Sequence, residues 1–406
     1  MNHGTSGRAL SLGTLAFAVS FAVWGLMAPL APLFQKMYHL TNTQVSILIA
    51  IPVLWGSLGR LPMGVLTDRL GGRRVFGWLL VLEIVPLVGV ALSHSYASLL
   101  AWGFVLGMAG TSFAVGVPFV SRWFPAERQG MALGVYGAGN IGQAVAAILA
   151  PRLAQAYGWQ TAFWVMIVPV VLMSLTYWLL AADAPGQPAP QSFFANLTAV
   201  QGDPHTWLLS FFYFITFGGF VAFGNYLPKL YVDLYHLAKP TAGNLAALFV
   251  LVATASRPLG GWLSDRIGAV RLLPWLFAVG TSVALALALV GGYPLGAFQA
   301  LTLTVGVAFG LGNGAVFKLV PQFFPGKTGT VTGIVGAMGG LGGFFPPLAM
   351  GMFRDRLGNY AGGWFALAAL AAVALACSIW LASASQRRSA GGRSENGTRR
   401  LNPRVP

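Results

Sequence analysis

The chain has 406 residues, of which 56% are hydrophobic and only 8% are charged, and its mean hydropathy is +0.71. Soluble domains carry about 25% charged residues, so this composition excludes a soluble fold and predicts an all-α polytopic membrane protein. The net charge of +15 does not indicate a nucleic-acid partner, because the basic residues lie in short loops and a C-terminal tail. The one cysteine, Cys377, leaves no intrachain disulfide and no cysteine-based metal site.

Twelve apolar runs are long enough to cross a bilayer as helices, which takes roughly 20 residues each. The first run, from about Leu12 past Leu33, is too long for the core of a signal peptide and has no clear cleavage site after it. We predict membrane-spanning helices at residues 12–36, 44–66, 75–93, 97–121, 130–152, 160–182, 206–230, 242–263, 272–290, 295–321, 328–352 and 361–383.

The positions of Lys and Arg predict the orientation of these spans. Fifteen basic residues fall on one side of the membrane and six on the other. Because loops rich in Lys and Arg stay in the cytoplasm, we expect both termini to be cytoplasmic in a multi-pass protein of the cell (inner) membrane.

The spans divide into two sets of six, at residues 1–182 and 205–384. The segment 183–204 between them is rich in Pro and Gly and has no Lys or Arg, which is typical of a cytoplasmic linker. Residues 385–406 carry six arginines and are predicted to be a basic, disordered tail that acts as a topology signal. Contact of this tail with anionic lipid is the alternative.

One stretch of sequence occurs twice, half a chain apart. The first copy is SLGRLPMGVLTDRLGGRR, residues 57–74, and the second is ASRPLGGWLSDRIGAVR, residues 255–271. Aligning Arg60 with Arg257 also aligns the glycines and the Asp-Arg pairs. Self-similarity at this separation predicts two homologous halves. Since each half holds six spans, the repeats are parallel and form two pseudo-symmetric six-helix bundles.

Each copy places an arginine inside an apolar helix, about two turns before a charged loop. Such a residue costs roughly 2.5–3.5 kcal/mol to insert and nearly always faces an internal cavity. Arg60 and Arg257, one from each half, therefore predict a site for an anion between the halves. The alternative is that both side chains snorkel to the interface, and their distance from the following loops argues against it.

Two glycine-rich runs fall in the fifth helix of each half. They are GVYGAGNIGQAVAA, residues 134–147, and GIVGAMGGLGGFFPP, residues 333–347. Small residues at spacings of three and four let membrane helices pack closely, which is one interpretation. The other is that these helices also slide or rock and that their bare backbone faces a small ligand.

The repeated G-x-x-x-D-R-x-G loop, doubled across two six-helix halves, resembles the major facilitator superfamily over essentially the whole chain. The resemblance implies a transporter with a conformational latch on the cytoplasmic side, where the two aspartates engage neighbouring helix ends. The latch residues would be Gly64, Asp68 and Arg69 in the first half and Gly261, Asp265 and Arg266 in the second.

Narrower features resemble the nitrate/nitrite porter family within that superfamily. They are the two arginine segments, GNIG and GAMGGLGGFFPP in the glycine-rich helices, GTSFAVGVPF, LSFFYFITFGGFVAFGNYLP and GNGAVFKLVPQFFP. Met338, within the second glycine-rich run, and Glu83 depart from the family pattern. By this resemblance the substrate-binding residues would be Arg60, Arg257, Tyr213, Phe113, Asn140, Gly139, Gly336 and Gly339.

The chemistry of a nitrate site fits these residue types. Nitrate is a flat monoanion, and a planar guanidinium offers two parallel N–H donors that lysine lacks. Phe113 would supply a flat apolar wall, and Tyr213 and Asn140 would supply neutral donors. Their alternative roles are a lipid- or core-facing ring, an interfacial anchor and a contact between helices. Without an anion the two arginines would repel each other, which favours exchange.

The sequence leaves open whether nitrate transport is coupled to nitrite or to protons. Glu83 is the one acidic residue well inside an apolar helix, whereas a proton relay usually needs a chain of titratable groups. We favour a neutral, hydrogen-bonded Glu83 and nitrate/nitrite antiport, with proton symport as the alternative. Lys318 and Asn313 are further candidates for the path, although Lys318 lies near a helix end from which it could snorkel.

The competing hypotheses are a carrier for another small anion, such as formate, oxalate or an organic phosphate, and a membrane enzyme or sensor. The glycine-rich pair and the GNGAVFK string argue against the first. The sequence has no paired catalytic carboxylates, no His/Cys cluster with metal-ligand spacing and no phosphate-binding loop followed by Lys. We therefore expect no enzyme activity, no cofactor and no metal, and by analogy we expect a monomer.

Overall fold

The computed structural model describes residues 3–185, 200–290, 292–324 and 328–400. Within these ranges every regular element is a helix. Twelve of the helices are long and apolar enough to cross a membrane, and this confirms the predicted fold class. Numbered in chain order, the spans α1 to α12 are Thr5–Met37, Asn42–Leu70, Gly72–Ala91, Tyr96–Ser121, Met131–Tyr157, Gln160–Leu180, Pro204–Tyr235, Lys239–Ile267, Ala269–Leu289, Leu295–Phe323, Thr330–Leu357 and Ala361–Ser385.

The bundle boundaries at 182 and 205 remain predictions, as do the linker and the tail. Most of the linker lies outside the described residues. The backbone of the last helix continues from Ala361 to Arg400, so the predicted start of the tail at 385 falls within a helix.

Five of the spans are interrupted partway along their length, and each interruption contains glycine, which has no Cβ to hold the helix geometry. Broken helices at membrane depth are tolerated where they face protein or a cavity. The interruptions lie between Trp24 and Met27, between Leu58 and Arg60, at Gly107–Thr111, at Ala138–Asn140 and between Gly342 and Phe345.

The ends of α2 and α8 are alike because both are set by the repeated loop. Gly71 and Gly268 follow the last helical residues with φ of 88° and 87°. A residue that has a Cβ adopts a positive φ only at a cost in free energy, whereas glycine adopts it readily. The two Asp-Arg pairs therefore lie at matching helix ends, one in each half.

The start of α7 is fixed by a local cap. The Asp203 carboxylate accepts from the backbone N–H of His205 at 2.8 Å, and Pro204 occupies the first turn, where a missing N–H costs nothing. The hydrogen bond from the His205 backbone holds the pKa of the Asp203 carboxyl below its ordinary value. This helix carries much of the site described below.

The glycine-rich helices α5 and α11 pack backbone to backbone with the first helix of their own half. A Cβ on Gly142 of α5 would lie 1.9 Å from the Ala18 carbonyl oxygen of α1, and a Cβ on Gly342 of α11 would lie 2.0 Å from the Phe214 carbonyl oxygen of α7. These contacts agree with the packing interpretation of the glycine runs. Between the halves, α2 packs on α11 and α5 on α8.

Candidate anion site

The two arginines of the repeated stretch converge on the same two aromatic rings, Phe113 and Phe217. Arg60 in α2 is 2% exposed, and Arg257 in α8 is half-buried. The Cζ atom of Arg60 is 5.2 Å from the centre of the Phe217 ring, and that of Arg257 is 5.6 Å from the same centre. The structure therefore brings together the two cations that the sequence predicts to face each other across the halves.

Arg60 is held by backbone carbonyls from both halves. It is the first residue after the break in α2 at Gly59. Its Nε donates to the Gly110 carbonyl at 3.3 Å, and its Nη1 donates to the Gly336 carbonyl of the other half at 2.6 Å. Its Nη2 is buried without a hydrogen-bond partner. Because buried donors nearly always have partners, this cationic donor is suited to an anion.

Arg257 is held by the predicted tyrosine. Its Nη2 donates to the Tyr213 hydroxyl at 2.8 Å, and its Nη1 is buried without a partner. The protein thus holds two nitrogens of Arg60 and one of Arg257, and each guanidinium has one buried terminal nitrogen left to donate. Two such forks can bind a small planar anion that neutral donors alone would hold weakly.

Aromatic rings form the wall of the site. Phe113 and Phe217, from opposite halves, stack with centres 6.4 Å apart. Tyr213 stacks on Phe217 at 5.0 Å with an interplanar angle of 4°, and Phe317 meets Tyr213 edge-on at 4.7 Å. Ring faces attract guanidinium groups, so the wall holds both arginines while offering flat apolar surface.

The glycines divide between the site and the packing surfaces. Gly339 lies against Tyr213, whose Cδ1 would be 2.1 Å from an added Cβ. Gly137 faces Arg257, whose Cζ would be 3.8 Å away. Gly139, a predicted site residue, instead lies against the Phe17 ring of α1, whose Cδ1 would be 2.3 Å from an added Cβ. The backbone contact that the sequence predicts is made by the carbonyl of Gly336.

The two predicted asparagines are both buried, and each has an amide oxygen without a hydrogen-bond partner. Asn140 donates its amide to the Gly137 carbonyl of its own helix at 2.7 Å, and its Oδ1 has no partner. Asn313 in α10 is 2% exposed, and its Oδ1 likewise has no partner. Asn140 therefore shapes the break in α5, and its role as a substrate ligand stays a prediction.

The predicted latch residues form one ion pair in each half. Asp68 accepts from Arg122 at 2.6 Å, between the ends of α2 and α4. Asp265 pairs with Lys318, between the ends of α8 and α10. Lys318, which the sequence offered as a cation for the path, is thus the partner of a latch aspartate. We call the end of the molecule that carries both pairs the latch end.

The other latch residues are exposed or face open space. Arg69 is exposed, and the Arg266 guanidinium lies 4.0 Å from the centre of the Trp262 ring. An added Cβ on Gly64 or Gly261 would meet no heavy atom within 4 Å. Exposed ion pairs contribute little to stability, and the role of these loops as a conformational latch stays a prediction.

Glu83 is fully buried in α3, with no hydrogen-bond partner for either carboxyl oxygen. Ser20 of α1 lies beside it, and its hydroxyl is also buried without a partner. The expected burial is present, and Ser20 is the neighbour that would supply the expected hydrogen bond. A buried carboxyl in this setting is far more stable neutral than charged.

The family model described as Major Facilitator Superfamily matches residues 13–347. The "Nitrite extrusion protein" of Bacillus subtilis is 39% identical over 375 residues, which cover 92% of this chain and 93% of the relative. The "Probable nitrate transporter NarT" of Staphylococcus carnosus is 38% identical over 389 residues, or 95% and 99% of the two chains. The chain belongs to the nitrate/nitrite porter family of the major facilitator superfamily.

A further relative and a solved structure are also similar to this chain. The "Probable nitrate/nitrite antiporter NarK1" of Thermus thermophilus is 35% identical over 403 residues, which cover 92% of this chain and 90% of the relative. A bacterial homologue of the human lysosomal transporter Spinster, solved inward-facing and unoccupied, superposes with a TM-score of 0.73 at 17% identity, over 94% and 98% of the chains. That likeness shows the shared fold.

The superfamily consists of membrane transporters, so the chain is a multi-pass membrane carrier, and the prediction that it is not an enzyme is confirmed. In the part of the chain that the structure describes, no three His, Cys, Asp or Glu side chains form a candidate metal site.

Sequence reasoning missed three residues of this porter. Phe217 follows Tyr213 by one helical turn, a spacing that places both on one face. Phe317 directly precedes Lys318 in the GNGAVFK string. Lys229, one of the six basic residues counted on the non-cytoplasmic side, is fully buried in α7, because that helix continues to Tyr235.

Proposed function

We propose that this porter carries nitrate, nitrite or both across the cytoplasmic membrane as a secondary active transporter that works by alternating access. The observation that supports this most directly is the pair of guanidinium groups from opposite halves, each with a buried N–H donor that has no partner, over the shared rings of Phe113 and Phe217. The printed names of the relatives point to the same anions.

The anion would lie between Arg60 and Arg257. Their unpartnered nitrogens would donate to its oxygens in the plane of the guanidinium groups. Phe113 and Phe217 would pack on its faces, which suits a flat and weakly hydrated ion. A tetrahedral phosphate lacks the flat faces that this wall would contact.

We favour exchange of nitrate for nitrite over symport with protons. When no anion is bound, two cations share a space of low dielectric and repel each other. A bound anion removes this repulsion and draws the halves together, so the loaded carrier changes state more readily than the empty one. The Thermus thermophilus relative is named an antiporter. Symport remains the competing hypothesis, with Glu83 as the residue that would carry the proton.

We place both termini and the latch end in the cytoplasm of a cell with an inner membrane. The support for this orientation is the excess of Lys and Arg in the loops of that side, since such loops stay cytoplasmic. We propose that the carrier works as a monomer, because the anion site is built within one chain.

The experiment that tests the transport proposal uses purified protein in liposomes. One set is loaded with nitrite and a matched set is not, and uptake of labelled nitrate is followed with no pH gradient and then with an acidic exterior. Nitrate/nitrite exchange predicts nitrate uptake that requires internal nitrite and does not change when the exterior is made acidic. The control is the Glu83→Gln variant, which should behave as wild type.

Uptake into nitrite-free vesicles that rises with external acid would instead establish proton symport, and loss of the acid response in Glu83→Gln would assign the proton to that residue. Failure of folded protein to move nitrate in every vesicle set, with uptake of formate or oxalate in the same vesicles, would overturn the nitrate proposal.

A further inference from the structure

The G-x-x-x-D-R-x-G pattern occurs a third time in the chain, at the end of α11. This copy is GMFRDRLG, residues 351–358, and the function described above does not use it. In the first two copies the aspartate pairs with a basic residue of its own half. In the third copy the aspartate, Asp355, contacts the other half.

Asp355 accepts four hydrogen bonds from the first two residues of α2. Its Oδ1 accepts from the backbone N–H of Asn42 at 3.0 Å and from the Asn42 amide at 2.8 Å. Its Oδ2 accepts from the backbone N–H of Thr43 at 2.7 Å and from the Thr43 hydroxyl at 2.6 Å. One carboxylate from the C-terminal half therefore caps a helix of the N-terminal half.

This contact completes the hydrogen bonding at the start of α2. The first N–H groups of a helix have no partner within it. Thr41 and Gln44 satisfy each other in a capping box, which leaves the N–H groups of Asn42 and Thr43. A carboxylate at this end also meets the positive end of the helix dipole, so Asp355 supplies both the acceptors and the charge that α2 lacks.

Asn42 joins this contact to a buried cation. Its Oδ1 accepts from the Lys229 ammonium at 3.0 Å, and Gln35 accepts from the same ammonium at 2.9 Å. Lys229 also pairs with Asp233, which in turn accepts from the Tyr360 hydroxyl. Because an asparagine side chain both donates and accepts, Asn42 can hold an anion and a cation of the other half together.

The cluster lies far from the arginines and away from the latch end. Lys229 follows Tyr213 on α7 by sixteen residues, which is about 24 Å along a helix. Two other side-chain hydrogen bonds cross between the halves in this interval. They join Gln143 to Asn225 at 2.7 Å and Ser46 to Tyr226 at 3.0 Å.

The glycines near the cluster are packed more closely than two glycines on the latch side of the arginines. Near the cluster, a Cβ on Gly351 would lie 2.2 Å from the Ser46 hydroxyl of the other half, and one on Gly243 would lie 2.1 Å from the Ala147 carbonyl oxygen. On the other side of the arginines, a Cβ on Gly134 or Gly333 would meet no heavy atom within 4 Å. The halves are thus in close contact at the end that carries Asp355, and these two glycines on the latch side make no such contact.

We propose that Asn42, Thr43, Lys229, Asp233 and Asp355 form a clasp that must open before the arginine site faces the end opposite the latches. The clasp sets the ratio of the two open states, because its hydrogen bonds exist only while that end is closed. This inference rests on the proposed alternating-access cycle but not on the identity of the anion.

The test measures distances between spin labels in purified protein. In a Cys377→Ser background, Lys36→Cys and Leu357→Cys label the two halves at the clasp end, and Leu70→Cys with Ile267→Cys label them at the latch end. All four positions are exposed. The proposal predicts that Asp355→Asn raises the fraction of long clasp-end distances about tenfold and shortens the latch-end distances in step.

A matched control and a rescue separate this role from a general structural one. Arg356→Gln changes the charge at the neighbouring exposed position and should leave both distance distributions as in wild type. Asn42→Asp places a second carboxylate against Asp355 and should open the clasp. Combining it with Asp355→Asn exchanges the amide and the carboxylate, and this double variant should recover part of the closed population.

Unchanged distances in both folded single variants would overturn the clasp. Should Asp355→Asn not fold, Thr43→Val decides instead, since it removes one hydroxyl bond and predicts a smaller shift in the same direction. Because the readout contains no nitrate, clasp variants that shift the distances in a protein that moves no nitrate would leave the clasp standing and reject only the proposed substrate.

Discussion

At the scale of single residues, the site depends on how each arginine is aimed. Tyr213 fixes one nitrogen of Arg257 by a 2.8 Å hydrogen bond and so turns the other nitrogen towards the space between the halves. Gly336 does the same for Arg60 through its carbonyl. In the proposed function, the neutral groups of the site orient the arginines, and the arginines would bind the anion.

Replacing Tyr213 with Phe should weaken anion binding without removing it. The Arg257 guanidinium loses the acceptor that orients it, and a hydrogen bond to a charged group contributes about 1.5–3 kcal/mol. We expect the KM for nitrate uptake to rise about tenfold with little change in kcat. Tyr157→Phe, at a largely exposed tyrosine, is the control, and a KM equal in both variants would contradict the orienting role.

Phe217 should matter as much as the predicted Phe113, because both guanidinium groups lie against its ring. A buried cation–π contact contributes up to about 2 kcal/mol, so Phe217→Leu should lower nitrate affinity at least about tenfold in binding titrations. Phe345→Leu, at an exposed phenylalanine of α11, is the matched control. Equal affinities for the two variants would show that the ring is only part of the wall.

Which residues the sequence could predict follows from the kind of signal each carries. An arginine inside an apolar helix is costly enough to be recognised alone, and the repeat identified its partner. Phe217 is one of 28 phenylalanines and has no such cost. The sequence predicts Lys318 as a residue of the substrate path because its partner, Asp265, is distant in sequence and close only in the fold.

At the scale of helices, the glycine runs have two functions that composition does not separate. Gly142 and Gly342 permit close packing within each half, whereas Gly137 and Gly339 leave room for Arg257 and Tyr213. Spacing predicts that small residues share a face, but the neighbour that each face meets is set by the crossing of the helices.

The packing role predicts a difference between two glycines of α11. Gly342→Ala would place a Cβ 2.0 Å from the Phe214 carbonyl oxygen, whereas Gly333→Ala would meet nothing within 4 Å. Overpacking of this kind costs about 1–3 kcal/mol, so Gly342→Ala should lower the Tm of the purified protein and Gly333→Ala should not. A Tm unchanged in Gly342→Ala would mean that α7 and α11 separate readily at this point.

At the scale of the whole molecule, two broad features were readable in the sequence and one was not. The twelve spans follow from hydropathy, and the two halves follow from the repeat. Which end is closed depends on contacts between residues far apart in the chain, such as Asp355 with Asn42 and Thr43. The structure has the halves in contact at that end through these hydrogen bonds.

We propose that two arginines from opposite halves bind one small planar anion. The most direct measurement is a calorimetric titration of purified carrier with nitrate, beside Arg60→Lys and Arg257→Lys, and with Arg271→Lys, at an exposed arginine, as the control. Lysine keeps the charge and loses the paired donors. We expect nitrate to bind wild type and Arg271→Lys, and we expect its affinity to be at least about tenfold lower in each site variant. Full affinity in either site variant, or tighter binding of phosphate than of nitrate by wild type, would contradict this proposal.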